Sequence, residues 1–305
     1  MRVDLSTVVG AVRLPNPVMT ASGTAGYGDE LAAYQDLSAL GAVVVKSLSP
    51  APWPGNAAPR VHETPLGMIN SVGLQNAGVD GWLEHELPAL ERRGARVVAS
   101  IWGFSVEEYA KAAAALAHAG PAVLAVEINV SCPNVEDRRR MFAHSRSATA
   151  EVVAATEGCR LPRWVKLSPN VTDLTEIAGA ALDAGAEAIT LINTLMGMSI
   201  DPETRRSRLG GGGGGLSGPA IHPVAVRAVY ECRAAFGDTP IVGVGGVSCG
   251  ADAIELILAG ASAIQVGTAT FADPRAPWRV LADVRSWCER HGVPRITELI
   301  GASHA

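Results

Sequence analysis

From one end of the chain to the other, short β-branched or wholly apolar runs alternate with longer Ala-, Leu- and Glu-rich segments of helical composition. The runs predict eight strands: Pro17–Thr20, Ala42–Lys46, Arg96–Ile101, Val123–Asn129, Arg163–Leu167, Ala188–Ile192, Pro240–Val244 and Ala263–Val266. Several are apolar throughout rather than alternating, the pattern of a parallel sheet covered on both faces. Between them Ser105–Ala119, Asp173–Ala184, Pro219–Ala235 and Ala251–Ala259 read as helices. Gly41, Gly120, Gly185 and Gly260 follow apolar helix ends, where a residue tolerating positive φ is wanted. Eight strand–helix units in 305 residues match a (β/α)8 TIM barrel, read as a single domain over residues 1–305. A doubly wound open sheet is the competing architecture.

Two insertions interrupt the repeat, at about 47–94 and 194–218, each after the carboxyl end of a strand, the face where barrel enzymes keep their chemistry. The second holds six consecutive glycines, Gly210–Gly215, behind the basic segment Arg205–Arg208. A bare glycine run reads as a flexible linker, and its place at the active face also admits a mobile lid.

The strand ends carry the candidate chemistry. The second strand ends in Lys46-Ser47, the fourth in Asn129-Val130-Ser131-Cys132-Pro133-Asn134, the fifth in Lys166-Leu167-Ser168-Pro169 and the sixth in Asn193-Thr194. Two lysines on nearly buried strands of one barrel mouth call for an anionic partner. Gly245-Gly246 after strand seven and Gly267-Thr268 after strand eight supply backbone that approaches a phosphate without a Cβ in the way. With Lys166 over the middle and Ser22-Gly23 after strand one, these outline a slot for a flat phosphorylated cofactor, which flavin mononucleotide (FMN) fits. A lysine near the flavin N1–C2=O edge stabilises the charge of the reduced ring.

Composition narrows the function. A chain that is 48% hydrophobic and 18% charged is not mainly disordered. A net charge of -5 with no long Lys/Arg block argues against nucleic acid. The apolar stretches are too short to span a bilayer and Met1-Arg2-Val3-Asp4 opens no apolar leader, so the cytoplasm is expected and no membrane. Five scattered cysteines without a Cys-x-x-Cys pair predict neither disulfides nor a bound metal. Cys159, Cys232 and Cys288 read as packing residues, and so does Cys249. Cys132 differs, because it lies just beyond a strand end between amides and near lysines, where a thiolate can take a carbon-bound proton.

These residues resemble a known family, the class 1 dihydroorotate dehydrogenases, and within it class 1B. The resemblance rests on Thr20-Ala21-Ser22-Gly23, Lys46-Ser47, Glu63 to Asn70, Gly73-Leu74-Gln75-Asn76, Asn129 to Asn134, Val165 to Asn170, Ile192-Asn193-Thr194, Gly214 to Ala220 and Gly245-Gly246, in order over nearly the whole chain. It implies a TIM barrel holding FMN and the oxidation of (S)-dihydroorotate to orotate in pyrimidine biosynthesis, with Cys132 removing the C5 proton while hydride passes to flavin N5. It further implies flavin contacts from Ala21, Ser22, Gly23, Lys46, Ser47, Ser100, Asn129, Lys166, Ile192, Gly218, Gly245, Gly246, Gly267 and Thr268. Substrate contacts are implied for Lys46, the stretch Asn70, Ser71, Val72, Gly73, Leu74, and for Asn129, Asn134, Asn193 and Thr194. Lys46 serves either the substrate carboxylate or the flavin edge. The implied assembly is a homodimer of catalytic chains joined by an electron-transfer subunit carrying FAD and a 2Fe–2S cluster, which passes electrons to NAD+.

Two departures bear on substrate. Val135 to His144, with Arg138-Arg139-Arg140, stands where the family's flap carries glycines, and reads either as a solvated basic face or as a changed lid. Ser100 stands where many relatives have asparagine. The alternatives are a flavin oxidoreductase for another dihydropyrimidine, a fumarate-linked class 1A activity, and a flavin-binding scaffold without turnover.

Overall fold

The computed structural model describes residues 3–131 and 141–304. All eight predicted strands form, two with the expected bounds and six trimmed by one to three residues: Val18–Thr20, Val43–Val44, Val97–Ile101, Val123–Asn129, Arg163–Lys166, Ala188–Leu191, Ile241–Val244 and Ala263–Val266. Each lies parallel beside its sequence neighbours. The ring closes on strand one, which pairs with strand eight on one side, Val18 opposite Ile264, and meets strand two on the other, where Met19 bridges Ala42 in parallel and the Gly41 N–H donates to Val18 O at 2.8 Å. The sheet is therefore a closed (β/α)8 barrel. A doubly wound sheet would reverse its strand order and keep two open edges.

Strand periodicity fills the interior in layers, since residues i and i+2 share a face. The lower layer is apolar: Met19, Val44, Val98, Ala125, Trp164, Ala188, Val242 and Ala263 are buried together. An antiparallel hairpin, Thr7–Val9 with Val12–Leu14, adds Val9, Val12 and Leu14 to the same cluster and seals the amino end of the barrel. It is anchored where two barrel strands begin, through Thr7 Oγ1 to Ser262 O at 2.7 Å and Ala11 N to Glu187 Oε2 at 3.3 Å. Two residues further along, the same strands present Lys46, Ser100, Glu127, Lys166, Thr190 and Gln265. The interior thus changes from oil to polar groups as it approaches the carboxyl mouth.

Outside the barrel, helices bury their apolar stripes against the sheet. Val106–Leu116 starts on Ser105, whose hydroxyl accepts from Glu108 N, and Leu174–Asp183 starts on Asp173, which accepts from Thr175 N. The helices His222–Phe236 and Gly250–Ala259 follow strands six and seven. Of the four glycines expected at positive φ, Gly185 and Gly260 have it, at 97° and 129°. Gly41 and Gly120 do not. Gly41 is needed for space instead, because a Cβ there would strike the Asn16 carbonyl.

The two insertions build one structure. Strands Leu195–Gly197, Gly214–Ser217, Gly67–Asn70 and Val61–Thr64 pair antiparallel in that order over the carboxyl mouth. The expectation of a flexible linker through the glycine run is corrected at its end. Gly214 and Gly215 are strand residues, Gly215 standing opposite both Asn70 and Met196. A Cβ at Gly214 would meet the Asn70 carbonyl and one at Gly215 the Thr194 side chain, so the glycines let this sheet press against its neighbours.

Candidate active site

Between the polar layer and the small sheet lies a cavity of about 370 Å³, within the usual range for small-molecule sites. Strand ends one, two, four, five and six bring Ala21, Ser22, Gly23, Lys46, Ser47, Asn129, Lys166, Ile192, Asn193 and Thr194 to it. The first insertion brings Asn70, Ser71, Val72, Gly73 and Leu74, and the loops beyond strands seven and eight bring Gly245, Gly246, Gly267 and Thr268 opposite Gly218. Cys132 and Asn134, with the arginine run Arg138 to Arg140, lie outside the described residues.

One expected contact is corrected. Ser100 does not line the cavity. Its short side chain is fully buried, and its hydroxyl is 2.9 Å from Ser47 Oγ and 3.3 Å from Ser22 Oγ. It supports the two serines that do face the space. Conversely, Met68, Met141, Met196, Ser217 and Phe271 line the cavity without having been singled out. Met196 and Phe271 are more than half exposed, and in a sequence nothing separates such residues from ordinary surface ones.

Three features of the site follow from its residues. First, the carboxamides are chained: Asn193 Nδ2 donates to Asn129 Oδ1 at 3.1 Å, Asn129 Nδ2 to Ser47 Oγ at 3.4 Å, and Thr194 N to Asn193 Oδ1 at 2.8 Å. Tyr109 OH fixes the strand end from behind, donating to Asn129 O at 2.6 Å. Such a fixed row of amides presents both donors and acceptors to a ligand. Second, the two charged residues lining the cavity among the described residues are Lys46 and Lys166, and no carboxylate joins them in that lining. In a chain of net charge -5, this local excess of positive charge selects an anion.

Third, the far end is a cradle of backbone. Gly245, Gly246 and Gly218 have φ of 139°, 71° and 98°. A Cβ would stand 2.7 Å from Ala225 Cβ at Gly245, 2.6 Å from His222 Cβ at Gly246 and 2.6 Å from Gly67 Cα at Gly218. Thr268 Oγ1 donates to Ser217 Oγ at 2.7 Å, tying strand eight's end to the small sheet. His222 Nδ1 lies 2.7 Å from Gly245 O and steadies the loop. Main chain and hydroxyls converging in this way suit a phosphate.

The remaining cysteines divide. Cys159, Cys232 and Cys288 are buried, and burial raises their thiols above the usual range, that of Cys232 to about 12. They pack, as expected. Cys249 does not: it is exposed at the start of helix Gly250–Ala259, where its sulfur accepts from the Asp252 N–H. Among the described residues there is no group of three or more His, Cys, Asp or Glu arranged to hold a metal, and no helix long and apolar enough to cross a membrane.

A family model described as dihydroorotate dehydrogenase matches residues 4–287. The catalytic subunit of dihydroorotate dehydrogenase B (NAD(+)) from Desulforudis audaxviator is 48% identical over 305 residues, covering 100% of this chain and 99% of its own. The subunit of the same name from Pelobacter propionicus is 46% identical over 303 residues, 99% of each chain. That from Geotalea uraniireducens is 47% identical over 300 residues, 98% of each.

Proposed function

This chain belongs to the dihydroorotate dehydrogenase family, and we propose that FMN and dihydroorotate meet in the cavity beneath its small sheet. The chain is an oxidoreductase that converts dihydroorotate to orotate in pyrimidine biosynthesis, with NAD+ as the final acceptor. One observation carries the placement: a single cavity joins two lysines, a row of carboxamides and a glycine cradle, with no lining carboxylate among the described residues.

The family uses a flavin, and the cradle fits the monophosphate of FMN. Gly218, Gly245, Gly246, Gly267 and Thr268 would hold the phosphate, and at Gly218, Gly245 and Gly246 a Cβ would strike the surrounding chain and displace the cradle. Ala21, Ser22, Gly23, Ser47, Ile192 and Lys166 would line the ring. A Cβ on Gly23 would stand 3.3 Å from Lys46 Nζ, so the glycine leaves the ammonium its place for a carboxylate or the flavin edge. FMN held there would supply the hydride acceptor for C6 of dihydroorotate. Asn70, Asn129, Asn193, Thr194 and Asn134, with the Ser71–Leu74 stretch, orient the pyrimidine through its alternating donors and acceptors. Cys132 Sγ, as a thiolate, takes the C5 proton and passes it to solvent.

The relatives' names call them catalytic subunits, which supports a partner chain. In our reading that partner carries FAD and a 2Fe–2S cluster, joins a homodimer of catalytic chains in the cytoplasm, and delivers electrons to NAD+.

The test is turnover by the purified chain loaded with FMN. Orotate forms from dihydroorotate with a dye acceptor, dihydrouracil is not oxidised, and NAD+ is reduced only after an iron–sulfur flavoprotein partner is added. Cys132→Ala lowers turnover by about 100-fold or more. Equal turnover of dihydrouracil would overturn the substrate, and an unaffected Cys132→Ala the base.

A further inference from the structure

At the centre of the barrel, one layer into the interior from the cavity, lies a pair of charges whose place the binding contacts above leave unexplained. Glu127, on strand four, is 0% exposed, and Lys166, on strand five, is 5% exposed. Placing two ions there costs several kcal/mol each before their attraction is counted, whereas barrel interiors are ordinarily filled with branched apolar side chains. A pair kept for its own attraction would close to contact. This one does not: Lys166 Nζ stands 3.7 Å from Glu127 Oε1, and that oxygen has no hydrogen-bond partner among the described residues.

Gln265 from strand eight, also 0% exposed, joins the two. Its Nε2 donates to Glu127 Oε2 at 2.7 Å, while its Oε1 accepts from Lys166 Nζ at 3.3 Å. Only this orientation of the amide serves both neighbours, so the carboxylate and the ammonium each fix it. Lys166 is thereby held from the barrel side by an amide oxygen and a carboxylate at a distance, and it lines the cavity on its other side.

We propose that Glu127, acting through Gln265, is a positioning residue that sets how much of the Lys166 charge a bound flavin experiences. The proposal rests on the reading that FMN occupies the cavity. A carboxylate standing off from the ammonium offsets part of its field without neutralising it by contact. Removing the carboxylate leaves the full positive charge facing the ring, and reduction, which adds negative charge to the ring, becomes easier. Removing the amide instead lets the ammonium fall onto the carboxylate, which withdraws charge from the ring.

The experiment measures the two-electron midpoint potential of FMN bound to the holoprotein, by equilibration with reference dyes, together with FMN stoichiometry. Glu127→Gln raises the potential by at least tenfold in the reduction equilibrium, about 30 mV. Gln265→Leu lowers it by a similar factor. A role in packing alone moves neither, or moves both the same way. FMN bound with wild-type potential in both variants overturns the proposal, and should Glu127→Gln fail to fold, a potential in Gln265→Leu that is unchanged or raised does so by itself. A wild-type chain that takes up no FMN refutes the flavin reading instead.

Discussion

At Gly246 the backbone has φ 71°, and an added Cβ would stand 2.6 Å from His222 Cβ and 3.0 Å from Gly218 O. Left-handed backbone costs a non-glycine residue roughly 1–2 kcal/mol, and here the only relief is to push the cradle apart. Gly246→Val is therefore expected to weaken FMN binding by roughly tenfold or more while the barrel stays folded. Titration of the apoprotein followed by flavin fluorescence, with far-ultraviolet dichroism as the control, checks both halves. This position was legible because Gly-Gly at the end of an apolar strand says where main chain must pass close. So were Lys46, Asn129 and Asn193, polar residues at the ends of apolar runs. Glu127 was not, since it lies inside such a run and its partner Gln265 is 138 residues away, a distance at which sequence carries no pairing signal. Ser100 was expected at the flavin through the family resemblance alone, and nothing in the sequence shows that its short side chain turns instead to the hydroxyls of Ser47 and Ser22.

Among the elements, helix Gly250–Ala259 follows the phosphate cradle directly, and its first turn is held by Asp252. That carboxylate accepts from Ser248 N and Ser248 Oγ at 2.8 Å each and from Cys249 N at 3.1 Å. Burial raises its pKa, but the hydrogen bonds from Ser248 and Cys249 outweigh it and hold the carboxyl below the usual range. A lowered folded pKa means stability that is complete above the unfolded value, near pH 4, and is lost as pH falls through the lower folded value. Asp252→Ala is thus expected to cost about 1 kcal/mol at pH 7, as other lost caps do. In urea denaturation the gap between variant and wild type narrows below about pH 4. The helices and barrel strands could be read from periodicity and from their caps. The four-stranded sheet could not, because its strands are short, partly glycine, and paired between insertions more than 100 residues apart, as Gly215 is with Asn70.

Across the whole molecule the two ends of the barrel do different work. Closure itself rests on the meeting of strands one and two, where Met19 bridges Ala42 and the Gly41 N–H reaches Val18 O, and since barrels and open sheets share the same strand–helix repeat, that meeting is what distinguishes them. The amino end is filled by Trp164, Val242 and Ala263 under Val9, Val12 and Leu14 of the hairpin, whereas every residue of the cradle stands beyond the carboxyl ends of the strands. The stability of the barrel and the affinity of the site are therefore separable. Leu14 is 2% exposed, so Leu14→Ala leaves a cavity in a well-packed layer and is expected to cost about 2–5 kcal/mol. FMN affinity and the dihydroorotate KM stay at wild-type values at temperatures where the variant remains folded, because the polar layer of Lys166, Glu127 and Gln265 lies between the damage and the ligand. Denaturant titration and flavin titration on the same preparation test the division. A loss of affinity in step with stability would mean that the hairpin and the site move as one unit, and that the apolar floor takes part in shaping the pocket above it.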